Sequence, residues 1–95
     1  MNDTFESSEI VETGAVFITA SASRKLNPID IFVALQRHRK GDWGLVCERD
    51  QEANDSALAV GQRILSAYDD RDQTRFWIVT EPDSSYTTVR LPSDY

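Results

Sequence analysis

One cysteine and one histidine are the whole stock of thiol and imidazole in this chain of 95 residues. Cys47 has no second cysteine to pair with, so no disulfide can form within the chain, and the usage fits a reducing cytoplasm. Cys47 is expected to be a small buried hydrophobe. A single His and a single Cys without ligand spacing predict no metal site. No apolar run approaches the ~20 residues of a membrane helix. The opening Met-Asn-Asp-Thr-Phe-Glu has no basic stretch ahead of an apolar one, which predicts no secretion signal. Gly41-Asp42-Trp43-Gly44 has two glycines but not the spacing of a phosphate loop, and no cofactor is predicted. Bases are also scarce. Ten Lys and Arg stand against 16 Asp and Glu, giving a net charge of −6. That balance argues against nonspecific binding to DNA or to an anionic membrane.

What charge there is lies unevenly. Residues 1–23 hold only acids: Asp3, Glu6, Glu9 and Glu12. A basic segment follows, with Arg24, Lys25, Arg37, Arg39 and Lys40 against Asp30 alone, and the remainder is acidic again. The length fits one domain of marginal stability, about 5–10 kcal/mol. Residues 1–12 read as a flexible acidic tail that orders only near Ile10, and 13–95 as a single α+β domain.

Local signals divide that domain. Ala15–Ala20 is β-branched and aromatic and predicts a strand. Ser21–Leu26 reads as a loop or one helical turn. Asn27-Pro28 is a start signal, with Asn suited to the cap and Pro to the first helical position. The helix should run to about Arg39 and stop at Gly41, with Ile29, Ile31, Phe32, Val33 and Leu35 on a broad apolar arc. A second helix should span Glu48–Val60, stop at Gly61 and pack through a small-residue stripe of Ala53, Ala57 and Val60. Arg63–Tyr68, Arg75–Glu81 and Thr87–Leu91 predict an antiparallel meander, with polar turns at 69–74 and 82–85. The expected architecture is β-α-α-β-β-β: a small antiparallel sheet with two helices packed on one face.

Three sets of residues could carry function. On the second helix Glu48, Glu52 and Asp55 recur at i, i+4 and i+7, a row of carboxylates with neighbours about 5–6 Å apart. Asp69, Asp70 and Asp72 would extend the row if the turn lies nearby. Such relief suits a basic partner, with fast, salt-sensitive association; it also suits a solvated face. His38, Asp42, Trp43 and Glu81, with the hydroxyls of Thr80–Thr88, could form a pocket for a small enzyme or toxin. The plainer expectation is a half-buried helix-end His38, a Trp43 plugged into the core, and turn chemistry at 80–88. Arg24, Lys25, Arg37, Arg39 and Lys40 could bind nucleic acid if one exposed face presents all five. A free sheet edge could also pair two copies.

Residues 37–44 (Arg-His-Arg-Lys-Gly-Asp-Trp-Gly), Ala53-Asn54-Asp55 with Ala57, and Gly61–Tyr68 resemble a family of small plasmid and phage proteins. The likeness continues through Phe76–Glu81, Asp83, Ser85, Thr87-Thr88-Val89 and Leu91–Tyr95. It begins at residue 37 and departs from the family pattern at Pro82 and Tyr86. The resemblance implies a mobile-element origin and brings no named activity. The favoured expectation is an acidic cytoplasmic accessory factor that binds a basic host protein or complex. Its concrete form is an inhibitor of a nucleic-acid-handling defence assembly of the restriction or CRISPR kind.

Overall fold

The computed structural model describes residues 9–94. Strand β1 (Ala15–Ile18) is followed by helices α1 (Ala20–Lys25), α2 (Pro28–Arg39) and α3 (Glu48–Val60). Strands β2 (Ile64–Asp69), β3 (Arg75–Thr80) and β4 (Tyr86–Arg90) complete the chain, with short 3-10 turns at Pro82–Ser84 and Pro92–Asp94. The class is α+β, with three helices and one four-stranded sheet in the order β1-β4-β3-β2. The meander is antiparallel as expected. The sheet as a whole is mixed, because β1 pairs with β4 in parallel, Ala15 opposite Tyr86 and Ile18 opposite Val89. No hairpin joins these two strands: three helices and two strands intervene, and the strand's own residues do not encode the direction in which β1 meets β4.

The helix ends follow from caps. Asn27 Oδ1 accepts the Ile29 N–H at 2.8 Å, and Pro28 opens α2. Thr19 caps α1, its hydroxyl accepting from Ala22 N–H. Gly61, left-handed at φ 72°, closes α3, where a side chain would be strained. The 3-10 turn after β4 ties back to α1: the Asp94 carboxylate accepts from the hydroxyls of Thr19 and Ser21 and from Leu91 N–H.

Alternation along the strands sends Ile64, Ser66 and Tyr68, Phe76, Ile78 and Thr80, and Thr87 and Val89 to one face. Against it α1 and α2 lay Ala22, Leu26, Ile31, Ala34 and Leu35. Helix α2 therefore buries the stripe Ile31, Ala34, Leu35 and His38. Only part of the expected apolar arc is covered: Ile29, Phe32 and Val33 are half or more exposed. His38 is fully buried rather than half-buried, because it continues the i, i+3, i+4, i+7 series that faces the sheet.

Helix α3 docks at the outer edge of β2. Asn54 Nδ2 donates to the Leu65 carbonyl at 2.8 Å, and Asn54 Oδ1 accepts from Leu65 N–H at 3.2 Å. One amide thus occupies both backbone groups that Leu65 turns outward, on the side of β2 where no strand pairs. Trp43–Leu45 serves Ala67 in the same way. That approach needs Gly44, since a Cβ there would sit 2.1 Å from the Ala67 carbonyl oxygen. The expected stripe Ala53, Ala57, Val60 is corrected: Asn54 and Ala57 are the buried residues, and Ala53 and Val60 are exposed. Cys47, expected inside, is exposed as the residue before α3. Within the expected acidic tail, Val11 is core, and Ile10 and Val11 donate their N–H groups to the Arg39 carbonyl. The tail's first eight residues lie outside the described ones.

Candidate functional site

The histidine lies at the middle of a buried polar line. Ser66 Oγ is 2.6 Å from His38 Nδ1, and Thr80 Oγ1 is 2.8 Å from Nε2. Thr80 and Thr87 hydroxyls are 2.7 Å apart, and Thr87 donates to the Thr13 carbonyl at 2.8 Å. The last bond sets all the others. Thr87 spends its hydrogen on Thr13, so Thr80 donates to Thr87 and accepts from Nε2–H. Nδ1 then accepts from Ser66. Every group is satisfied with a neutral, Nε2-protonated ring. Burial, and secondarily the charge of Arg39, pushes the His38 pKa down to about 4, so the ring stays neutral near pH 7.

A serine hydroxyl bonded to an imidazole has the geometry of an activated nucleophile. Here it has neither access nor a carboxylate behind the ring. Ser66 and His38 are 0 % exposed, and the far nitrogen meets a threonine. Trp43 closes one side, edge-on to the imidazole with centroids 5.9 Å apart. The arrangement fastens α2 to three strands and to the segment before β1.

Of the expected pocket residues, His38, Trp43, Thr80 and Thr87 come together, whereas Asp42 and Glu81 do not join them. Asp42 is exposed and turns to Arg37, accepting at 2.7 and 3.2 Å, which holds its carboxyl below the usual range. Glu81 lies 3.8 Å from Arg63. The hydroxyl cluster splits: Thr80 and Thr87 turn inward, and Asp83 and Ser85 stay at the surface. A cleft of about 230 Å³ opens above Thr80, between Val11, Gly61 and Asp83. Among the described residues, no three or more His, Cys, Asp or Glu side chains are grouped so that they could hold a metal ion.

The acidic residues divide into two places. Glu48, Asp50 and Glu52 are exposed on α3, and among the described residues no ion pair holds them. Asp55, on the same helix, accepts the Trp43 Nε1–H at 3.0 Å. The Asp69–Asp72 turn does not extend that row, because its contacts go to α2. Arg71 grips Asp30 through two side-chain bonds and its own N–H, and this pulls the Asp30 carboxyl down. Asp69 takes Arg75 at 2.6 Å. Asp70 is buried and holds the turn, its Oδ1 accepting from Asp72 and Thr74 N–H at 2.9 Å.

The basic residues do not share one face. Arg24 and Lys25 end α1, next to the start of α2, while Arg37, Arg39 and Lys40 stand at its other end. A helix of 12 residues spans about 18 Å, and Arg37 is neutralised by Asp42.

Neither Ser66 nor Asn54 belongs to the sets of candidate residues read from the sequence. Ser66 was accessible through alternation, since it lies between inward Ile64 and Tyr68. Asn54 carried no local signal. No family model matches the chain, and no curated protein or solved structure matches it. No helix among the described residues is long and apolar enough to cross a membrane.

Proposed function

We propose that this protein is a binding module whose α3 face docks a basic protein partner. The observation that carries the reading is the placement of charge against chemistry. Glu48 and Glu52, one turn apart, stand exposed without an ion pair among the described residues, and Arg49 is the one base between them. The Ser66–His38 contact is sealed from solvent. Exposed carboxylates left without internal partners steer a cationic surface and speed encounter at low salt. The resemblance to mobile-element proteins directs the search for that partner to nucleic-acid-handling defence complexes, restriction or CRISPR assemblies among them.

The test is affinity capture from host lysate, followed by titration of the recovered protein at low salt. Glu48→Lys combined with Glu52→Lys is expected to weaken binding by at least about tenfold and leave the thermal melt intact. Equal affinities for the variant and the original chain would sink the reading.

A further inference from the structure

Between the outer side of α2 and the β2–β3 turn lies a second pocket, of about 210 Å³, walled by Val33, Ala34, Tyr68 and Phe76. It also presents Asp30, Arg37, Asp69, Asp70 and Arg71. Four of these five charges are already matched. Arg71 pairs with Asp30, Arg37 with Asp42 and Asp69 with Arg75. Arg37 also lies 4.9 Å over the Tyr68 ring. Asp70 is the exception. It is 5 % exposed, its Oδ1 is committed to two backbone N–H groups, and Oδ2 is buried with no hydrogen-bond partner among the described residues. A carboxylate oxygen withdrawn from water and left without a donor is costly. A hydrogen-bond donor reaching it from the pocket would relieve that cost, and a cationic donor would make the stronger bond.

We propose that this pocket receives a single lysine side chain from a protein partner, with a small shift at its floor that brings the ammonium to Asp70 Oδ2. The volume falls below the ~300–1,000 Å³ of small-molecule sites and suits one long side chain. The walls of Tyr68 and Phe76 suit its methylene stem. One free oxygen suits an ammonium, a point donor; a guanidinium fork seeks two acceptors. The rim supports a protein source for the lysine. Val33 belongs both to the pocket and to the exposed row Ile29, Phe32, Val33, so apolar neighbours of the lysine find an apolar strip beside it. This site is separate from the α3 face and does not depend on it.

The experiment is a titration of the isotope-labelled full chain, followed by amide resonances, with a blocked tripeptide bearing lysine between two leucines. Saturable shifts at Asp70, Arg71, Asp72 and Thr74 are expected. The Nε-acetylated peptide should produce none, and the arginine peptide should bind more weakly. Asp70→Asn retains an Oδ1 acceptor for the turn and should weaken lysine binding at least about tenfold. If Asp70→Asn lowers the melt, Val33→Ser on the pocket wall is the second variant, with the same direction expected. Glu48→Lys with Glu52→Lys should leave this titration unchanged, which separates failure here from failure at α3. Absence of shifts in the turn, equal binding of the acetylated or arginine peptide, or unaltered binding by both variants overturns the proposal.

Discussion

Helices α2 and α3 are almost equal in length, 12 and 13 residues, and they join the fold by opposite means. Helix α2 buries a full stripe and ends it on a histidine bonded at both nitrogens. Helix α3 buries two residues, Asn54 and Ala57, and holds the sheet edge through one amide. The first is held by area and by a closed polar line, the second by a few directed bonds. The difference frees most of the α3 surface from structural duty. Glu48 and Glu52 are expected to tolerate change without unfolding the domain, whereas Asp55, which accepts from Trp43, and His38 on α2 are not.

The largest expected effect comes from breaking the α2 side. His38→Ala removes the ring and leaves the Ser66 and Thr80 hydroxyls buried beside a cavity. A loss of about 3–5 kcal/mol is expected in urea unfolding. That is comparable to the whole stability of a small domain, so a largely unfolded variant also fits.

Proton linkage probes the same residue without mutation. The His38 pKa is about 4 folded against 6.5 unfolded, so between those values the unfolded chain binds the extra proton. Stability is full above pH 6.5, falls as pH drops toward 4, and then levels for this group. The span corresponds to a loss on the order of 3 kcal/mol. Carboxylate losses come lower. Asp94, held at about 2 by the Ser21 and Thr19 hydroxyls and Leu91 N–H, loses its contribution only as pH falls from near 3.8 toward 2. A urea midpoint that stays flat from pH 6.5 to 4 would contradict a sealed neutral imidazole.

On the α3 side Asn54→Ala deletes both bonds to Leu65 and exposes a strand edge. About 2 kcal/mol is expected, with amide exchange rising first at Leu65. A change as large as that of His38→Ala would erase the contrast between the two helices. Smallest of all is the stability effect of Glu52→Lys, within about 0.5 kcal/mol of zero, since that side chain is exposed.

Both helices were legible because their limits rest on neighbours in sequence. Asn27 and Pro28 start α2, Gly61 ends α3, and strand alternation sorts the meander. The candidate sites were only partly legible. Glu48 and Glu52 lie exposed in a row as helical spacing requires, but Asp55 was taken by Trp43 and Asp70 by its own turn. Spacing gives the face on which a carboxylate lies and is silent about a donor brought there from 12 residues away.

By itself the sequence determined the limits of α2 and α3, the antiparallel meander and the shortage of reactive groups, because these depend on single residues or contacts within a turn, though it left α1 as a loop or one turn. Tertiary structure alone decided that β1 runs parallel to β4, which of two apolar stripes on α2 is covered, and that Ser66, Thr80 and Thr87 close around His38. Those outcomes depend on groups up to 74 residues apart, whose meeting is set by how the helices pack over the sheet.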